Sequence, residues 1–102
     1  MKYNLKDVTL VFFSDIDGTI INNNSFCYGN NIDVIKQLLE ANHYVIFNSS
    51  KTFNEIDYML KSENLSIPFI CETGGGIYCP KDFFDSTQKE RGGYDIIFES
   101  VR

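Results

Sequence analysis

The chain has 102 residues, 43% hydrophobic and 15% aromatic, which excludes disorder and leaves room for one core-forming domain at most. Nine Lys and Arg against 14 Asp and Glu leave a net charge of −5 with no basic stripe, which argues against a nucleic-acid partner. The longest apolar stretches are far shorter than a membrane span, so no membrane partner is expected either.

In chain order, Val8 to Phe13 is a continuous apolar run of strand length, the pattern of a strand covered on both faces. Ser14-Asp15-Ile16-Asp17-Gly18-Thr19-Ile20 follows at once. Its two carboxylates, spaced i and i+2, project from the C-terminal end of the strand, where open α/β sheets bind ligands. Such oxygens suit a hard cation, and one of them is a candidate to attack phosphorus and form an aspartyl phosphate. Taken alone, the same residues also describe an ordinary strand ending in an Asp/Gly turn.

Ile20 to Asn31, rich in Asn and Gly, reads as a loop or small flap. Ile32, Val34, Ile35, Leu38, Leu39 and Ala41 then recur at helical spacing through Asn42. Tyr44–Phe47 is a second buried strand, and Thr52 with Glu55 forms a capping box for a helix that stops near Asn64. After Pro68, Phe69–Cys71 is a third strand, and Gly74-Gly75-Gly76 turns the chain into a small hairpin with Ile77-Tyr78-Cys79. Strand, helix, strand, helix, strand with short connections means βαβ units, right-handed crossovers and a parallel sheet.

The second strand ends in Asn48-Ser49-Ser50-Lys51-Thr52, immediately before the capped helix. Two hydroxyls, an ammonium and free backbone N–H groups at a helix N-terminus favour an anion. In a parallel sheet the C-terminal ends of neighbouring strands lie side by side, so Ser49 or Ser50 faces Asp15 and Asp17 if strands one and two are adjacent. Carboxylates beside a hydroxyl–amide cradle are the parts that phosphoryl transfer needs. Taken alone, the same serines and threonine are ordinary helix caps and Lys51 is a solvated charge.

Cys27, Cys71 and Cys79 are odd in number and none sits in a C-x-x-C. Met1–Asp7 is too polar for a secretory leader. Reduced thiols in a cytoplasmic protein are the simplest reading. His43 reads as a partner for a helix C-terminus rather than a base.

Val11-Phe12-Phe13-Ser14-Asp15-Ile16-Asp17-Gly18-Thr19-Ile20 resembles the first motif of the haloacid dehalogenase-like (HAD) superfamily of aspartate-nucleophile phosphatases, and Val45-Ile46-Phe47-Asn48-Ser49-Ser50-Lys51-Thr52 resembles its second. Ser49-Ser50-Lys51-Thr52 together with Pro68-Phe69-Ile70-Cys71-Glu72-Thr73-Gly74-Gly75-Gly76-Ile77-Tyr78 is similar to the mannosyl-3-phosphoglycerate phosphatase branch. The resemblance implies a three-layer α/β/α Rossmann-like core with a parallel sheet, here truncated. Residues 1–91 would be a partial core and residues 92–102 the start of a cap-like segment. It makes Asp15 the nucleophile and a Mg²⁺ ligand, and Asp17 the general acid/base that lends its backbone carbonyl to the metal. Ser49, with Ser50 as the alternative, takes the phosphate-binding position, Lys51 lies beside it, and Thr52 lies on the substrate side. Thr73 stands where the branch has Asn, and Phe53-Asn54 replaces Arg-Ala before Glu55. The family's third motif, a Lys or Arg, and its Gly-Asp-rich fourth have no clear counterpart. Lys81, Asp82 and Asp85 are the candidates to replace them.

The function this implies is Mg²⁺-dependent hydrolysis of a small phosphorylated metabolite, such as a sugar phosphate or mannosyl-3-phosphoglycerate, weak or incomplete in an isolated chain. The competing functions are a non-catalytic remnant or interaction module of the same ancestry, and a phosphoacceptor receiver domain. The receiver pattern fails at the third strand, where Glu72-Thr73 stands in place of an Asp. A first strand lacking a neighbour on one side predicts a homo-oligomer or a completing partner chain. Either that strand's edge or the C-terminal aromatic segment would then be buried between subunits. In a monomer, residues 95–101 would fold back over the edge.

Overall fold

The computed structural model describes residues 8–17, 31–81, 83 and 89–100. The elements run β1 (Val11–Ser14), α1 (Asn31–Glu40), β2 (Tyr44–Asn48), α2 (Phe53–Ser62), β3 (Phe69–Cys71), β4 (Gly76–Pro80), β5 (Glu90–Arg91) and β6 (Tyr94–Glu99), with a short 3₁₀ turn at Glu72–Gly74. The predicted flap at residues 20–31 falls almost wholly outside the described residues, as do Cys27, Asp82 and Asp85.

Each helix forms around one apolar stripe. In α1, Ile32 and Ile35 are buried and Leu38 and Leu39 pack beside them. The helix ends where Asn42 takes a left-handed φ of 66°, a conformation that Asn tolerates. The His43 N–H then donates to the Leu38 carbonyl at 3.0 Å, closing the helix end. The His43 ring does something further: its Nδ1 accepts the Leu10 N–H at 3.0 Å, fixing the approach to β1. In α2, Phe53, Ile56, Met59 and Leu60 are buried. Its first turn carries the predicted capping box, with the Glu55 N–H donating to Thr52 Oγ1 at 3.3 Å and the Thr52 N–H donating to Glu55 Oε1 at 3.1 Å.

The six strands form one sheet in the order β1-β2-β3-β4-β6-β5. The two βαβ units make β1–β2 and β2–β3 parallel, with Val11 opposite Tyr44 and Phe47 opposite Phe69. Beyond β3 the sheet is antiparallel, so it is mixed rather than parallel throughout. The physical reason is connection length. A connection of four residues, 72–75, leaves no room for a crossover, and the chain must return as a hairpin. Gly76 is needed inside that hairpin, since a Cβ there would stand 2.6 Å from the Tyr78 ring. The segment read as the start of a cap contains β6, which pairs with β4 and is separated by three strands from the β1 edge it was expected to cover in a monomer.

Because β1, β2 and β3 follow one another in a single direction, right-handed crossovers put both helices on the same face. Val45 and Phe47 of β2, Phe69 and Cys71 of β3, Tyr78 of β4 and the apolar stripes of α1 and α2 form one buried cluster. The described residues thus supply the sheet and one helical layer of the expected three. Beside Val45 and Phe47, Tyr44 and Asn48 on the opposite face are exposed. In β1, Val11 is 53% and Phe13 66% exposed, against the expectation of a strand covered on both sides. An apolar run establishes what a strand prefers to touch; it does not supply the neighbour.

Candidate active site

The C-terminal ends of β1 and β2 lie side by side, as parallel pairing of Ser14 with Phe47 requires. The chain leaves each strand there, and a cleft of about 170 Å³ opens between the two exits. Asp15, Ile16, Asp17, Asn48, Ser49 and Ser50 line it. Ile16 is fully buried and anchors the turn from below, while Asp15 and Asp17 on either side of it are exposed. The i, i+2 spacing thus turns both carboxylates toward solvent around one hydrophobic pin. Gly18 and Thr19 lie outside the described residues.

The two sides of the cleft are tied together by Lys51. Its Nζ lies 3.3 Å from Asp17 Oδ1 and 3.8 Å from Glu55 Oε2. Glu55 in turn accepts the Thr52 N–H and, at 3.0 Å, the Thr52 hydroxyl. Those bonds, the backbone one first, hold its carboxyl below the usual carboxylate range. Lys51 and Thr52 are therefore engaged in fixing the β2–α2 loop rather than lining the cleft. The Ser49 hydroxyl accepts the Lys51 N–H at 3.0 Å, which orients Ser49 at the cleft wall.

A second brace comes from the turn after β3. The Glu72 N–H donates to the Lys51 carbonyl at 2.9 Å, and the Thr73 N–H donates to the Ser49 carbonyl at 3.2 Å. To reach them, Glu72 and Thr73 both adopt left-handed backbone, with φ of 51° and 53°. For β-branched Thr73 this is a strained conformation. Sequence reasoning missed three contributors: Asn48 in the cleft wall, Glu55 as a partner of Lys51, and this brace. Glu55 is four residues after Lys51, the spacing of a helical ion pair, and that was the available signal. Lys81, a candidate for the missing cation, is placed elsewhere. Gly76 pairs with Cys71 at the cleft edge, so β4 runs away from it and delivers Lys81 to the far end of the sheet, where it pairs with Glu90.

The donors facing the cleft are hard oxygens, the chemistry that Mg²⁺ selects. Among the described residues, no group of three or more His, Cys, Asp or Glu side chains gathers around one point. Asp15 and Asp17 would thus be a fitting but sparse set of oxygens for such an ion. No helix among the described residues is long and apolar enough to cross a membrane, and Cys71 and Cys79 are free and buried.

Comparison with known proteins agrees with this fold. The family model for haloacid dehalogenase-like hydrolases matches residues 12–92. The chain is 34% identical over 90 residues to a glucosyl-3-phosphoglycerate/mannosyl-3-phosphoglycerate phosphatase of Methanococcoides burtonii, covering 85% of this chain and 33% of that one. It is 39% identical over 71 residues to a mannosyl-3-phosphoglycerate phosphatase of Pyrococcus horikoshii, covering 68% and 29%. Among solved structures, one from Thermotoga maritima superposes with a TM-score of 0.69 at 22% identity, over 90% of this chain and 30% of that one. The chain spans about a third of the length of the curated relatives it matches. By the extent of the family match, this chain belongs to the haloacid dehalogenase-like hydrolases.

Proposed function

We propose that the chain carries the nucleophile half of a phosphatase site acting on a small phosphorylated metabolite, in the cytoplasm, with mannosyl-3-phosphoglycerate or a related sugar phosphate as the first substrate to try. The observation that carries this reading is the shared cleft: Asp15 on one wall, Ser49 and Ser50 on the other. An Asp15 oxygen attacks phosphorus, the bond to the leaving alkoxide breaks, and Asp17 supplies the proton that the alkoxide needs. Water then cleaves the acyl phosphate, returning Asp15 and releasing phosphate. Ser49 and Ser50 donate to the phosphoryl oxygens, beside the N-terminus of α2. Asp15 and the Asp17 carbonyl would hold Mg²⁺, whose contribution when bound is to offset phosphoryl charge.

The names of the relatives support the substrate class, and Thr73 and Phe53-Asn54 are where this chain departs from their branch. With no Lys or Arg other than Lys51 beside the cleft among the described residues, turnover should fall below the ordinary enzyme range of roughly 1–10³ s⁻¹, since losing one such stabilising group costs ~10²–10³. The test is hydrolysis of mannosyl-3-phosphoglycerate and of an aryl phosphate by the purified chain, with Mg²⁺ or with chelator. Slow release that needs Mg²⁺ and disappears in Asp15→Asn supports the reading. Release that survives Asp15→Asn moves the chemistry to another group. Complete inactivity toward both substrates favours a non-catalytic domain of the same ancestry.

A further inference from the structure

A second polar pocket lies where the hairpin strand β4 starts and its partner β6 ends, with Gly76 opposite Glu99. It measures about 270 Å³ and is lined by Glu72, Gly75, Tyr78, Arg91, Glu99 and Ser100. The 72–75 turn forms one wall, and the Ser100 N–H, donating to the Gly75 carbonyl at 2.9 Å, holds the end of β6 against it. Two of the lining groups are fixed by their neighbours. The Tyr78 ring is buried in the core, and its hydroxyl donates to Glu99 Oε2 at 2.7 Å. Arg91 Nη1 donates to that hydroxyl at 3.0 Å and to Glu99 Oε2 at 3.2 Å, while the guanidinium lies 4.2 Å above the centre of the Phe53 ring. A long side chain that is nearly half exposed is thus ordered before any ligand arrives, which lowers the cost of binding one. Among the described residues the hydrogen bonds of Arg91 run from Nη1, and a guanidinium has two further donating nitrogens.

We propose that this pocket binds a neutral polyhydroxyl ligand of about the size of one hexose ring. The charges on its walls decide the class. Glu72 and Glu99 outnumber Arg91, so a phosphate or carboxylate would meet two like charges and compete with Glu99 for the guanidinium. A metal cation would meet Arg91 itself. A hydroxyl group both donates and accepts, and the walls are mixed in the same way: Arg91 and the Ser100 hydroxyl can donate, while the carboxylates of Glu72 and Glu99 accept. The volume is small beside the roughly 300–1,000 Å³ of pockets that hold drug-sized molecules, which suits a single ring. With Tyr78 the only aromatic residue in the lining, the contacts are mainly polar, and a monosaccharide should bind with a Kd of about millimolar. None of the six residues lines the cleft, so the inference does not rest on the proposed catalysis.

Titration of the ¹⁵N-labelled chain with D-mannose and, separately, D-glucose, followed by NMR, is the test. With at least one of the two, saturable shifts are expected at the Arg91 Nε–H and at the amides of Gly75, Glu99 and Ser100. Arg91→Ala should weaken that binding at least about tenfold, and Glu99→Gln, which keeps the shape of the wall, about threefold. Tyr58→Ala, on the solvent side of α2 and 74% exposed, should leave it unchanged. Inorganic phosphate at the same concentrations should leave these resonances in place. No saturable shift at them up to about 100 mM of either sugar overturns the proposal. So does saturable binding of phosphate there, which would mark an anion site and should then tighten in Glu99→Gln. Sugar binding that is indifferent to both Arg91→Ala and Glu99→Gln overturns it as well.

Discussion

At the scale of single residues, the candidate site is held by strain and by one lysine. Thr73 occupies a left-handed conformation that costs an ordinary L-residue about 1–2 kcal/mol. The compensation is visible: its N–H and that of Glu72 close on the Ser49 and Lys51 carbonyls. Asn accepts this conformation more readily than a β-branched residue does, so Thr73→Asn should stabilise the chain by about 1 kcal/mol, raising the thermal midpoint by roughly 4–8 °C in a domain of this size. An unchanged or lowered midpoint by calorimetry would mean that the Thr73 side chain contributes more than its backbone costs. This brace was not legible in the sequence. Glu72-Thr73-Gly74 suggests a turn, but which carbonyls its N–H groups reach depends on β2 and β3 being neighbours.

At the scale of elements, local signals were the legible ones. The capping box at Thr52 and Glu55 forms as expected, because both partners lie within one turn. Thr52→Ala should cost about 1 kcal/mol, measured by urea denaturation, with no change in the strand order. The cleft too was legible, since the position of a strand's C-terminal end follows from βαβ connectivity once two strands are adjacent. What did not follow was the antiparallel half of the sheet. The pairing of β4 with β6 joins Gly76 to Glu99, and no pattern of hydrophobic residues fixes a partner at that distance. Tyr78 locks this half: its hydroxyl donates to Glu99 Oε2 at 2.7 Å and accepts from Arg91 Nη1 at 3.0 Å. Burial and the Glu99 bond push its phenol up to about 12. A raised acid contributes stability that is complete below the ordinary value of about 10 and is lost as pH rises through 12. Ultraviolet titration should therefore find Tyr78 ionising only as pH rises toward 12. In Tyr78→Phe the loss of stability above pH 10 should become shallower; an equally steep loss would assign it to another group.

At the scale of the whole molecule, the described residues form a sheet with one helical layer and a site assembled at the edge where the parallel strands end. The order of the first three strands and the convergence of Asp15 with Ser49 belong together: without the parallel neighbours there is no cleft. The central claim is that Asp15 stands ready to take a phosphoryl group, and its most direct test needs no turnover. Beryllofluoride, which mimics a phosphoryl group on an aspartate, is added with Mg²⁺ and followed by fluorine NMR. A bound resonance in the native chain that is absent in Asp15→Asn is the predicted result. No bound resonance in the native chain, or one that persists in Asp15→Asn, would contradict it.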